Sequence, residues 1–267
     1  MALTIETFSA STLRIHRVRC QPQHAACGPL EHTSAEGMVL PLRGLFVMHT
    51  SRDERIVADP CHALHFKAGE PYRVSHPVDG GDECLFIEPR TELAAEMAAW
   101  PKVQVLASGM MLERQLLAHG LARRAASALE AEERSLVLLG AMRPRPGRAT
   151  SPRERSRRAE IVEAAQITLA REPGRAWTLG ELARRATCSP FYLARSFRER
   201  VGMPLHRYEL AARLGAALDP VLAGGEDLTT LALELGFSSH SHFTHAFRRA
   251  YGVTPSRMRE RPKRARS

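Results

Sequence analysis

Three histidines, two adjacent arginines and several aromatic residues crowd into LALELGFSSHSHFTHAFRRAYGVTP, the stretch from Leu231 to Pro255. Imidazoles at that density could ligate a metal, pack in a helical core or face a polyanion. On a helix advancing about 100° per residue, His242 and His245 stand roughly 200° and 140° from His240, so His240 points away from the other two. The tetrahedral centre that zinc requires is not expected from this set. His242 falls beside the apolar positions and reads as a packed or capping residue. His240, Ser241, Thr244 and His245 share the opposite, solvated face. A second set, His32, His49, His62, His65 and His76 with Cys61, lies in the first half of the chain. Imidazoles lining a barrel together with a carboxylate would make a metal centre. However, that half holds no His-x-His pair, and the odd spacing of His62 and His65 sends them to opposite faces of a strand. We therefore expect no metal, no cofactor and no catalytic residue. Within GEPYRVSHPVDGGDE, Arg73 and His76 could meet an anionic ligand inside a barrel. They could equally satisfy backbone and carboxylate groups at a strand end, and the residues leave both readings open.

The elements that would position these groups fall into two unlike halves. Residues 1–142 carry 14 basic and 17 acidic side chains and residues 143–267 carry 24 and 12, giving −3 and +12 of the total +9. A basic excess confined to one compact segment attracts polyanions, with nucleic acid the usual partner. A membrane surface would ask for a basic amphipathic helix with a bulky apolar face, and none stands out. No run approaches the ~18 apolar residues of a membrane span, and the polar N-terminal stretch lacks a leader's apolar core. The expected location is the cytoplasm. Five scattered cysteines without a Cys-x-x-Cys pair read as reduced, mostly buried thiols.

The boundary between the halves is RPRPGRATSPRERSRR, Arg143 to Arg158, whose Pro, Gly, Ser and Arg residues offer nothing to pack. We assign residues 1–142 to one domain, 143–157 to a linker and 158–267 to a second domain, and such a linker predicts that the halves fold separately. Upstream, MVLPLRGLFVMHT, RIVADPCHALHF, YRVSH and ECLFIEP alternate like strands between GEP and DGGD turns, which suggests a small β-barrel or sandwich. From Glu92 to Met142 the apolar spacing becomes helical, with Gly120 interrupting. A helical pair there would cover the barrel or pair with a second subunit.

The second domain contains an internal repeat. TLGELARRATCS from Thr178 aligns with DLTTLALELGFS from Asp227 at an offset of 49, and one extra residue then shifts the offset to 50. Each copy opens on an N-cap, Thr178 or Asp227, runs one short helix, turns and restarts at a serine, with Pro190 suited to a first helical position. This is helix-turn-helix grammar. In each second helix a stripe recurs every four residues, Leu193, Phe197 and Val201 in the first copy and Phe243, Phe247 and Tyr251 in the second. The other face carries Phe191, Ala194, Arg195 and Arg198, and then His240, Ser241, Thr244, His245 and Arg248. Arg195 can bridge O6 and N7 of guanine. Arg198, Arg248 and Arg249, a turn further on, suit phosphate.

The run from Gly236 to Pro255, with LARRATCSPFYLARSFRERVG before it, resembles the signature of the AraC/XylS family of bacterial transcription regulators. The likeness covers roughly Arg158 to Arg259. It implies a two-domain α+β protein, with an N-terminal cupin-like β-barrel and following helices and a C-terminal all-α domain holding two helix-turn-helix motifs. A long helix within Pro204 to Leu222 would join the two units. Both second helices would enter successive major-groove segments of double-stranded DNA. The candidate contacts are then Ser189, Phe191, Ala194, Arg195 and Arg198, with Ser239, His240, Ser241, Thr244, His245, Arg248 and Arg249. The implied partners are promoter DNA, RNA polymerase, a small-molecule effector for the first domain and a second copy of the chain. The alternative is a cupin-type metal enzyme fused to a DNA-binding module. Two residues depart from the family pattern. Thr187 stands where the first turn usually has glycine, which predicts strain, and Asp219-Pro220 predicts that the joining helix ends or kinks there.

Overall fold

Period-two alternation of buried and exposed side chains, clearest at Leu13, Arg14 and Ile15, builds the first half of the chain as antiparallel sheet. A computed structural model describes residues 2–22, 27–50, 54–90, 92–97, 99–124, 126–142 and 152–260. Its strands are β1 (Ala2–Ser9), β2 (Leu13–Gln21), β3 (Gly37–Gly44), β4 (Phe46–Thr50), β5 (Arg55–Ala58), β6 (His62–Phe66), β7 (Tyr72–Ser75), β8 (Asp82–Pro89) and β9 (Val103–Val105). Six form one sheet in the order β1-β2-β8-β3-β6-β9, and three form a second in the order β5-β4-β7. Phe46, Met48 and Ile56 of the small sheet pack on Leu64, Phe66 and Cys84 of the large one. The strands β3 to β8 fall on the segments expected to alternate. The β1-β2 hairpin adds two strands ahead of them, and β9 interrupts the stretch expected to be helical throughout.

The helices are α1 (Glu92–Met97), α2 (Ser108–Ala122), α3 (Ala128–Ala141), α4 (Pro152–Arg171), α5 (Leu179–Arg185), α6 (Pro190–Val201), α7 (Leu205–Ala223), α8 (Leu228–Glu234), α9 (His240–Tyr251) and α10 (Pro255–Arg259). None is long and apolar enough to cross a membrane among the described residues. Two boundaries differ from expectation. The backbone is already helical at Pro152, inside the segment assigned to the linker, because proline fits the first helical turn, where its missing N–H costs nothing. Residues 143–151 of that linker lie outside the described residues. The helix α7 does not stop at Asp219 either. Pro220 sits in its last turn and the helix runs on to a left-handed cap at Gly224, so only one intrahelical bond is forfeited.

The two halves share a core instead of hanging on a bare tether. One apolar cluster runs from Leu13, Leu40 and Ile87 of the large sheet through Met111 and Leu117 of α2 to Leu218 of α7 and Phe243 of α9. The second-domain helix α7 approaches α2 so closely that a methyl group on Gly215 would lie 2.5 Å from Met111 Cε. With each large apolar side chain contributing about 1.5–3 kcal/mol on burial, this contact is part of folding. The helix α2 therefore lies between the sheet and the helices of the second half. Arg114 of α2 is fully buried there and donates to Pro60 O at 2.7 Å, and burial pulls its guanidinium down to about 10.

Candidate nucleic-acid interface

Side-chain caps set the helices of each unit in place. In the first unit Thr178 accepts from Glu181 N while Glu181 reaches back to Thr178 N at 2.8 Å, a reciprocal capping box that starts α5. Ser189 then caps α6 by accepting from Tyr192 N at 3.2 Å, with Pro190 in its first turn. In the second unit Asp227 accepts from the backbone of Thr229 and Thr230, each at 2.9 Å, and Ser239 accepts from His242 N at 3.1 Å. Ser189 and Ser239 are thus committed to caps, with exposed positions at the helix starts.

The apolar stripes lie where the repeat placed them. Leu193, Phe197 and Val201 are buried on α6, and Phe243, Phe247 and Tyr251 on α9. Phe197 meets Tyr208 edge-on at 5.1 Å, and Phe243 meets Phe247 at 5.5 Å. Opposite them, α6 presents Phe191, 77% exposed, with half-buried Ala194 and exposed Arg195 and Arg198. Arg195 Nε donates to Glu199 Oε1 at 2.9 Å, and this bond, with Arg158 and Arg195 nearby, holds the Glu199 carboxyl below its usual range. On α9, Ser241, His245, Arg248 and Arg249 are exposed, while His240 and Thr244 are half-buried and pair at 3.4 Å. His242 is exposed, yet its ring is engaged as a cap would be, bonded to Ser238 Oγ at 3.1 Å and edge-on to Phe237.

A model of the helix-turn-helix domain matches residues 182–261. The "Putative AraC-like transcription regulator" of Streptomyces lividans is 32% identical over 102 residues, 38% of this chain and 34% of its own. The transcriptional activator RhrA of Rhizobium meliloti is 33% identical over 113 residues, 41% of this chain and 35% of its own. The C-terminal domain is of the AraC type. This chain spans about a third of the length of the curated relatives it matches. Among solved structures, a DNA-binding transcriptional dual regulator from Escherichia coli K-12 is similar at 25% identity and a TM-score of 0.36, over 39% of this chain and 98% of that one. ToxT from Vibrio cholerae O395 aligns over 95% of this chain and 99% of its own at 10% identity and a TM-score of 0.38.

Within the AraC-type domain the two turns fill their left-handed position differently. Thr187 has φ 53° and Gly236, its counterpart 49 residues on, has φ 76°. Both lie in the left-handed region, which glycine enters freely and a β-branched residue does not. The strain expected at Thr187 is present. Gly236 is needed for a second reason, since a methyl group there would fall 2.3 Å from Gly174 O.

The other sequence-derived site does not assemble as one. His76 is buried in the wall of a cavity of about 220 Å³ between the sheets, but Arg73 is exposed and donates to Gly28 O at 3.1 Å. On β7, Arg73 alternates with Tyr72 and Val74, which line that cavity, so it faces away from it. His76 Nε2 lies 2.6 Å from Asp82 Oδ1. The structure thus gives the strand-end reading: a carbonyl for Arg73, a carboxylate for His76. Residues that sequence reading passed over complete the cavity, among them Cys20, Glu31, Asp82 and Cys84. The only local signal for them is Asp82-x-Cys84, whose spacing of two puts both on one face of β8.

A second overlooked cluster joins the halves. Asp59 accepts from the Tyr208 hydroxyl, and His62 Nδ1 lies 2.7 Å from its other oxygen. Gln166 Nε2 reaches Tyr208 Oη at 3.2 Å and the His62 ring at 3.4 Å. All four side chains are buried, so the strand-end turn, α4 and α7 are held by one closed polar network. The other buried histidine of β6, His65, is bonded to Glu36 at 2.5 Å.

Proposed function

We propose that the chain is a sequence-specific DNA-binding transcription regulator in which α6 and α9 read successive major-groove segments. The observation that carries this reading is the pairing itself. Two units of one kind bury the same stripe and expose unlike faces, Phe191, Ala194 and Arg195 on one and Ser241, Thr244 and His245 on the other. Unequal side chains on equivalent faces specify unequal bases, whereas Arg198, Arg248 and Arg249 supply the phosphate contacts that set register. The basic half-chain provides the long-range attraction.

The first domain is the controlling part in this proposal, by an effector or by pairing with a second copy. Its sheet is coupled to the DNA-binding helices through Met111 against Gly215 and through the Asp59, His62, Gln166 and Tyr208 network. A ligand that binds two arrangements of that junction unequally shifts their balance, and with it DNA affinity, by at most that ratio. Selecting sites from random DNA with the full chain tests the reading. The expected result is an asymmetric site with two conserved blocks about one helical turn (roughly 10 base pairs) apart. Recovery of no sequence preference would leave an architectural DNA-binding protein instead.

A further inference from the structure

The cavity between the sheets has an unusual chemical balance. Cys20, Glu31, Asp82, Cys84 and His76 contribute to its wall, no lysine or arginine does so among the described residues, and the rest of the lining is largely apolar. Strand register brings the acids and thiols together. Cys20 of β2 is directly paired with Asp82 of β8, and side chains directly opposite in an antiparallel pair point to the same face. Cys84, two residues on, shares that face and its Sγ lies 3.0 Å from Asp82 Oδ2. His76 enters from the end of β7, with Nε2 2.6 Å from Asp82 Oδ1. The turn that delivers Asp82 has little freedom. Gly81 has φ 71°, and a methyl group there would fall 2.0 Å from Cys20 O.

We propose that Cys20, His76 and Asp82 form a binding site for one divalent cation of the zinc or cobalt class. One ligand atom from each lies within 4.8 Å of the others, near enough for all three to close on a single ion at bonds of about 2.0–2.3 Å. A thiolate with an imidazole and a carboxylate is a borderline-soft donor set, which suits zinc or cobalt and disfavours magnesium or calcium. All three residues line the cavity, from which a solute or water could complete the coordination. The cation would supply the charge that this acid-rich, apolar wall lacks. The site rests on residues of the first domain and requires nothing of the DNA-binding reading.

Titration of the chelator-treated full chain with Co²⁺, without DNA and under anaerobic conditions, tests the assignment. The expected result is saturation at one equivalent, with thiolate-to-cobalt absorption in the near ultraviolet and the strong visible bands of a tetrahedral ion, both displaced by Zn²⁺. Cys20→Ser should abolish the near-ultraviolet band. His76→Gln and Asp82→Asn should weaken Co²⁺ binding by more than about tenfold, the loss that even an outer partner of a metal ligand can cause. Cys84→Ser should keep the band, because Cys84 is not among the three ligands. The proposal is overturned if the wild-type chain gives no saturable thiolate band, if Cys20→Ser retains it, or if Cys84→Ser alone removes it. Should Cys20→Ser fail to fold, seen as loss of helical circular dichroism, the wild-type titration and Asp82→Asn still decide. Site selection on random DNA is a separate measurement, so failure of either reading leaves the other standing.

Discussion

The two helix-turn-helix units offer an internal comparison, since one chain has built the same object twice. What they share is what folding needs: a side-chain cap at each helix start, a stripe of large apolar residues every four positions, and a left-handed glycine at Gly202 and Gly252 to end the second helix. What they do not share is the outer face. Position by position, Phe191, Ala194, Arg195 and Glu199 of the first unit stand against Ser241, Thr244, His245 and Arg249 of the second. The last pair inverts charge. The difference teaches that the residues holding each helix in the fold lie on one side of it, so the outer side, which we propose reads DNA, can change while the inner side is kept.

The largest break in that comparison should come at the turns. Gly236→Ala forces a side chain into the left-handed region and against Gly174 O, and should cost about 2–4 kcal/mol in denaturant unfolding. Thr187→Gly should act in the opposite direction and relieve about 1 kcal/mol, because the first turn already carries the strain. Equal responses from the two units would mean that the turns are not the equivalent structures their dihedral angles describe.

The outer faces separate next. Arg195→Ala should cost about 1–3 kcal/mol at the selected site and little on random DNA, the mark of a base contact. Arg248→Ala should weaken both alike and reduce the slope of log affinity against log salt by about 0.9, the mark of one phosphate. A loss at Arg195 shared equally by random DNA would make its role electrostatic and remove α6 as a reader.

How much of this was legible follows from how far apart the cooperating residues lie in the chain. The AraC-type domain could be read almost whole because its caps and stripes are local patterns: Thr178 with Glu181, Ser189 with Tyr192, and Phe243 with Phe247 all fall within one turn. The joining helix was harder, because a proline in a last turn looks the same in sequence as a proline that ends a helix. Beyond Asp82 and Cys84 on one face of β8, the cavity cluster could not be read from spacing. Cys20 meets Asp82 only through strand register, and His76 meets Asp82 only because a turn of two glycines folds back. His76 was noticed for its neighbours in sequence, but Arg73, its supposed partner, lies on the other face of β7. The shared core was likewise hidden, because a linker poor in apolar residues says nothing about what lies on either side of it.

Charge inversion at one position sharpens the comparison further. Glu199 holds Arg195 in the free chain, while Arg249 occupies the equivalent place in the second unit. Glu199→Gln should raise affinity for random DNA and steepen its salt dependence by less than the ~0.9 expected for a full added phosphate contact. It should also lower the preference for the selected site, since an arginine released from its carboxylate loses its preset direction. Unchanged preference would mean that Arg195 finds its base without that support.

The smallest expected effect lies in the two entry caps. Glu181 accepts from Thr178 N at 2.8 Å and from its hydroxyl at 2.7 Å, with Arg175 at 3.0 Å, and these bonds, the hydroxyl first, hold its carboxyl down at about 2 from an ordinary 4.5. Asp227 is lowered as well, through the backbone N–H of Thr230 first. A carboxylate depressed in the folded state binds fewer protons there than in the unfolded chain. Its contribution is therefore complete above the unfolded value and is lost as pH falls through the folded one. For Glu181 that window runs from about 4.5 down to about 2. Asp227 is exposed and Glu181 only half-buried at the surface, so the stabilisation is screened and small. Melting temperatures followed across that window should fall more steeply for the wild type than for Glu181→Gln, whose side chain does not titrate. Asp227→Asn should flatten the curve less, because the first unit's cap is the one closed in both directions. If Asp227→Asn flattened it more, the capping box would not be the stronger start, and the first unit would owe its entry geometry to Trp177 and its neighbouring arginines, Arg175 and Arg185, which stack on that ring.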